Sequence, residues 1–255
     1  MLTTKYCITR GWLPTIIASL SLAWSINGHA SPQRNNLQAV TEIYQQAVNS
    51  PIRTNADKRT DATRKPVEFL QFAQVRPGMQ VLDIAAGRGN TSQLLALVVG
   101  SKGTVWAQVE KQRPALVKRL TDHPQSNIVT VTSSFEDPVP SGIPKLDLIT
   151  IILNYHDIVY KPVDRSKLNQ RLFDALKSGG HLVVIDHSAK PRSGISAAKS
   201  LHRIDERVVG EELLKAGFQL EQESKYLHNR SDPRDQAFFN MDIPTDKFAL
   251  RFVKP

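Results

Sequence analysis

The chain has 255 residues, a formal net charge of +9 and 40% hydrophobic residues, enough for one α/β domain of ordinary size and too little for a second large one. Its positive residues are dispersed rather than gathered in runs of five or more, which argues for a solvated surface and against nucleic-acid binding. Cys7 is the single cysteine, so neither a disulfide framework nor a cysteine-based metal site is available.

Residues 1–30 read as a secretory signal peptide. Lys5 and Arg10 make a positive start, Trp12 to Ile26 carries no charge, and Gly28-His29-Ala30 ends in the small residues a signal peptidase requires. A membrane anchor is the competing reading, but about 15 apolar residues broken by Pro14 fall short of the roughly 20 needed to cross a bilayer. Cleavage after Ala30 leaves no membrane span. It predicts an exported protein, periplasmic or secreted, with a formal charge of +7 once Lys5 and Arg10 are gone from the +9 total.

Apolar spacing predicts a helix over Leu37–Val48, stopped by Pro51, and another over Pro66–Ala73; the polar stretch Arg53–Arg64 between them carries no apolar stripe. Residues 31–78 are thus a helical segment preceding the sheet, and residues 79–255 are the main domain. There, β-branched runs at Val81–Ala85, Thr104–Val109, Ile128–Val131, Leu146–Leu153 and His181–Ile185 alternate with helical patterns at Thr91–Val99, Pro114–Leu120 and Ser166–Leu176. That alternation implies βαβ units and a parallel sheet covered on both faces. Gly100 and Gly179-Gly180 follow helices where a C-cap favours positive φ. After a helix at Glu206–Ala216, the runs Phe218–Tyr226 and Lys247–Val253 are separated by loop rather than helix, which predicts an antiparallel pair.

The chemistry concentrates at Val81-Leu82-Asp83-Ile84-Ala85-Ala86-Gly87-Arg88-Gly89-Asn90. An apolar strand ends in a carboxylate and enters a glycine-bearing turn that opens a helix. Glycines there let a ligand lie against the backbone. Gly87-x-Gly89-x-x-Ser92 also approaches the dinucleotide fingerprint, but Asp83 would repel a pyrophosphate and favours the cationic methionine part of S-adenosylmethionine (SAM). Glu110, 21 residues after Gly89 at the end of the next strand, suits both ribose hydroxyls, a need that NAD and SAM share. The bland alternative makes Gly87 and Gly89 turn glycines and Glu110 a surface acid.

The segment from Asp83 to Gly89 resembles motif I of class I SAM-dependent methyltransferases, with Ala85 where the first glycine is usual, and Glu110 matches that family's ribose-binding acid. Further stretches resemble a group of bacterial exported methyltransferases: Arg64-Lys65-Pro66, Arg76-Pro77-Gly78-Met79, Asn154-Tyr155-His156-Asp157, Leu176-Lys177-Ser178-Gly179-Gly180, Asp186-His187, Leu201-His202-Arg203-Ile204-Asp205 and Asp232-Pro233-Arg234. The resemblance implies a Rossmann-like class I methyltransferase fold: a mostly parallel seven-stranded sheet with an antiparallel C-terminal strand pair and helices on both faces. It implies SAM as cofactor, held by Asp83, Ala85, Gly87, Gly89, Glu110 and Asn154, with Phe135 against the adenine. The usual acid at position 134 is a serine here.

Asn154-Tyr155-His156-Asp157 directly follows a strand and Asp186-His187 ends the next, so both fall at the carboxyl edge where open α/β sheets bind ligands. His202 and Asp205 follow in the connection. Methyl transfer to a hydroxyl or protonated amine needs a base, and His156 or His187, with Asp157 as orienting partner, is the candidate. The same cluster has the residue types of a divalent-metal site, without a ligand geometry that would select one. The alternative makes these residues polar caps of strand ends. The reading is a SAM-dependent methyltransferase of an unidentified small-molecule acceptor, set against a non-catalytic binder on the same fold and, third, an NAD oxidoreductase.

Overall fold

The computed structural model describes residues 1–2 and 32–255, with side chains from Gln38 onward. The predicted leader, its first two residues apart, lies outside the described residues. Among those described, no helix is long and apolar enough to cross a membrane.

Three helices precede the sheet: α1 (Pro32–Asn49), α2 (Asn55–Arg64) and α3 (Pro66–Phe72). Helix α2 occupies the polar Arg53–Arg64 stretch, for which the sequence shows no apolar stripe. It forms without an apolar stripe because Thr54 and Asp57 close a reciprocal capping box, which satisfies two of the backbone donors that a helix start leaves unpaired.

The sheet and its helices follow as β1 (Gln80–Ile84), α4 (Asn90–Val99), β2 (Thr104–Val109), α5 (Pro114–Asp122), β3 (Ile128–Thr132), β4 (Leu146–Ile152), α6 (Tyr155–Val159), α7 (Arg165–Ala175), β5 (Leu176–His187), α8 (Ala198–Leu201), α9 (Glu206–Lys215), β6 (Gln219–Ser224) and β7 (Lys247–Val253). The seven strands lie in the order β3-β2-β1-β4-β5-β7-β6. Strands β1 to β5 are parallel, and β7 runs antiparallel to both β5 and β6, as the sequence predicts.

Consecutive strand residues point to opposite faces. Val81, Val105, Leu148 and Val183 therefore pack in one core with α1, α3 and α4, while Leu82, Trp106, Ile149 and Leu182 pack in the other with α7 and α9. Both faces are buried, which is why the central strands read as apolar runs.

Gly179-Gly180 corrects the expected helix cap. Helix α7 ends at Ala175 with an extended Leu176 as cap, and the glycines lie inside β5, which begins five residues earlier than predicted. Gly179 still takes a positive φ of 76°, but it serves a strand irregularity, where its N–H donates to Lys254 O at 2.8 Å. Gly100 does cap α4 with φ 63°.

Candidate functional site

Strands β1 and β4 are neighbours whose connections leave in opposite directions, and the crevice beyond their carboxyl ends is the usual ligand site of such sheets. A cavity of about 830 Å³ opens there. Its walls include Asp83, Ala85 and Gly87 from the β1 turn, Asn154, His156 and Asp157 after β4, and His187 at the end of β5. Seven of the ten predicted site residues thus sit on or beside one space: the six named first together with His187.

The turn after β1 has three residues in the left-handed region: Ala85 at φ 55°, Gly87 at 59° and Gly89 at 77°. Gly89 is also required for packing, because a Cβ there would come 2.5 Å from Leu116 Cδ1 on α5. Ala85 donates its N–H to Gln108 Oε1 at 3.0 Å, and Ala86 donates to Gln108 O at 2.8 Å, so β2 fixes the shape of the turn.

Asp83 is 1% exposed. Its oxygens accept hydrogen bonds from Ser92 Oγ at 2.6 Å and Thr150 Oγ1 at 2.8 Å. Burial pushes its pKa up to about 6, against the opposing effect of those two bonds. Among the described residues no Lys, Arg or His forms an ion pair with it. A buried carboxylate on a cavity wall without a counter-ion is suited to a cationic ligand.

Gly89, Glu110 and Phe135 do not line the cavity, and this departs from the expectation for all three. Lys161, just past α6, pairs with Glu110 Oε2, and its ammonium sits 4.7 Å from the Phe135 ring centroid. Phe135 itself is part of the core beneath. The carboxylate expected to take the ribose is engaged by a lysine that nothing in the local sequence singled out.

His156 is 2% exposed, with Nδ1 2.6 Å from Asp186 Oδ1 and Nε2 3.2 Å from Asp157 Oδ1. Its backbone N–H donates to Asp186 Oδ2 at 2.9 Å. Burial alone would lower its pKa, but the facing Asp186 and Asp157 carboxylates outweigh it and raise the value to about 9. A ring that is protonated at neutral pH, with both nitrogens against carboxylates, does not suit the base role predicted for it. His187 is the opposite case. Burial, then Lys247 and the His156 cation, hold its pKa well below the usual value. Its Nδ1 lies 2.7 Å from Thr245 Oγ1, and its ring stacks on Phe238 at 4.8 Å and 5°.

Two further parts complete the site; His202 is the residue that the sequence places in the connection after Asp186-His187, while Phe238, Phe239 and Asp57 have no local signal. A bridge between Ser188 and Ile204 brings His202 beside Asp157, with Nδ1 3.2 Å from Oδ1; Phe238 and Phe239 from the 225–246 loop complete that wall. On the opposite side α2 contributes Asp57, 4% exposed. Asp57 receives Arg119 NH1 and NH2 at 2.7 and 2.8 Å and Asn90 Nδ2 at 2.7 Å. Arg119 also donates through Nε to Arg88 O at 2.7 Å, so one guanidinium ties α2 to the glycine turn. Burial of Asp57 acts against ionisation, but the Arg119 and Thr54 hydrogen bonds prevail and lower its pKa to about 2.

No protein-family model matches the chain. It is similar to the ubiquinone/menaquinone biosynthesis C-methyltransferase UbiE of Shewanella sp. (strain W3-18-1), 29% identical over 128 residues, 49% of each chain. To UbiE of Bordetella avium it is 33% identical over 123 residues, 47% of this chain and 46% of that one. The chain spans about half the length of the curated relatives it matches. Among solved structures, a SAM-dependent methyltransferase from Aquifex aeolicus matches with a TM-score of 0.59 at 18% identity, over 85% of this chain and 98% of that one. The N-methyltransferase NodS of Bradyrhizobium japonicum matches with 0.54 at 14% identity, over 79% and 98%. With its strand order and antiparallel closing pair, the chain has the fold of the class I SAM-dependent methyltransferases.

Proposed function

We propose that the chain is a SAM-dependent methyltransferase of a small-molecule acceptor, exported after cleavage behind Ala30. One observation carries the cofactor reading: Asp83, a buried carboxylate without a counter-ion, faces the cavity beside a turn whose left-handed residues leave its backbone open to a ligand. SAM brings two positive groups, the ammonium and the sulfonium, and no phosphate. In this reading the methionine part lies over Ala85 and Gly87 near Asp83 and Asn154, with Gly89 shaping the turn from behind, and the ribose reaches Glu110 by displacing Lys161. That ion pair is half-buried, and hydrogen bonds from the ribose hydroxyls to Glu110 replace the one the lysine gives up.

The acceptor lies toward His187, Phe238 and Phe239. When His187 Nδ1–H donates to Thr245 Oγ1, Nε2 is left as an acceptor toward the cavity, so His187 rather than His156 takes a proton from the acceptor. His156 and Asp157 hold the acceptor in line with the sulfonium. UbiE is named for a carbon acceptor and NodS for a nitrogen one, so the shared fold does not select the atom. Titration calorimetry of the full chain with SAM, S-adenosylhomocysteine and NAD tests the cofactor assignment. SAM and S-adenosylhomocysteine bind one per chain and NAD does not; preference for NAD, or heat from none of the three, refutes it.

A further inference from the structure

The cluster after β4 has a geometry that methyl transfer by positioning does not require. His156 and Asp157 open α6, while His202 arrives from an unrelated segment in a left-handed turn at φ 52°. Asp157 Oδ1 lies 3.2 Å from His156 Nε2 and 3.2 Å from His202 Nδ1. All three ligand atoms lie within 4.8 Å of one another. Donors 2.0–2.2 Å from a common tetrahedral ion are about 3.4 Å apart, so two edges of the triangle are close to a coordination polyhedron. The third closes by rotation of the His202 ring, whose side chain is 27% exposed.

The surroundings match what metal ligands need. A ligating histidine characteristically donates its other ring N–H to a carboxylate, which fixes the tautomer and aims the free nitrogen. His156 Nδ1 has that partner in Asp186, 2.6 Å away and wholly buried. The Asp157 carboxylate is steadied by the Tyr160 hydroxyl, which donates to Oδ1 at 2.9 Å. The His202 ring stands edge-on to Phe239 at 5.5 Å and Phe238 at 6.0 Å.

We propose that His156 Nε2, Asp157 Oδ1 and His202 Nδ1 form a binding site for one divalent transition-metal ion on the wall of the cavity. Two imidazoles and one carboxylate are borderline donors, which favour zinc, iron, cobalt or nickel over magnesium or calcium. Three protein ligands leave coordination positions open, as in catalytic rather than structural sites. Because all three residues line the cavity, an oxygen ligand entering it can reach the ion. This site stands whether or not the chain binds SAM.

The test uses the full chain carrying Cys7→Ser, which removes its only thiol, stripped with EDTA and titrated with zinc against a chromophoric chelator. The expected result is one zinc per chain at micromolar affinity or tighter. His202→Asn, chosen because asparagine tolerates the left-handed turn, weakens binding at least tenfold without changing the far-UV spectrum. Cobalt binding to the parent gives visible absorption of a low-symmetry nitrogen and oxygen site, which needs no variant to fold. Absence of stoichiometric zinc, a cobalt spectrum like that of the aqueous ion, or unchanged zinc affinity in folded His202→Asn each overturns the proposal.

Discussion

Asp83 near the end of β1 and Ala85 in the turn after it carry different kinds of cost. Ala85 sits at φ 55°, where a Cβ costs roughly 1–2 kcal/mol. Glycine relieves that strain but gains unfolded-state freedom worth about 0.4–1 kcal/mol. Ala85→Gly is therefore expected to stabilise the protein by up to about 1 kcal/mol, read from the urea midpoint at unchanged slope. Asp83 bears an electrostatic cost. Its folded pKa of about 6 lies above the ordinary 3.8, so the protonated form is favoured on folding. Its contribution is fully present below about pH 4 and is lost as pH rises to about 6. The two-unit difference is about 3 kcal/mol at pH 7. Asp83→Asn keeps a partner for each hydroxyl and carries no charge; it should raise stability at pH 7 and flatten the pH 4–6 slope in denaturation series. A slope that persists would assign it to another group.

Two elements are held by buried ion pairs rather than by their own patterns. Helix α2 has Asp57 as its only buried residue, and its anchorage to the glycine turn runs through Arg119. Arg119→Ala leaves Asp57 buried and unpaired, a type of change that costs about 3–5 kcal/mol. Faster amide exchange across α2 and the 86–90 turn, with weaker SAM binding, is expected; protection equal to wild type would show that packing alone holds the helix. The 225–246 loop is fastened likewise. Arg203, 0% exposed, donates to Asp232 at 2.8 and 3.2 Å, to Ser188 O at 3.0 Å and to Gln236 O at 2.7 Å. Two stretches that the sequence reading treated separately, 201–205 and 232–234, are the halves of this one fastening. Arg203→Met should lose about 3–5 kcal/mol, and adding Asp232→Asn, which keeps an acceptor toward the Arg234 and Asp246 backbone N–H groups, should recover part of it by removing the stranded charge. Equal losses in the single and double variants would exclude an unpaired charge as the cause.

At the scale of the molecule, the sheet is legible because its central strands are buried on both faces and read as short β-branched runs between helices. The cavity wall formed by Asp83, Gly87 and Asn154 is legible because these residues stand at or just past strand ends, the edge where open α/β sheets leave a crevice. Contacts between distant residues are not. Lys161 meets Glu110 across 51 positions and Arg119 meets Asp57 across 62, and the local pattern that places each residue on its element does not name its partner. The Phe238-Phe239 wall was hidden in a polar loop for the same reason. His156 shows a further limit: its position is readable from sequence, but its protonation depends on Asp186, which lies one strand away and 30 residues later. In the proposed reading these parts are joined by a cavity whose buried carboxylate lowers stability at neutral pH, a cost that a cationic ligand would relieve. The most direct test is SAM affinity, by calorimetry at pH 7, of wild type against Asp83→Asn. A charge-assisted bond contributes about 1.5–3 kcal/mol, so the account predicts affinity weakened roughly 10- to 150-fold in the variant. Equal SAM affinity in a well-folded Asp83→Asn would contradict it.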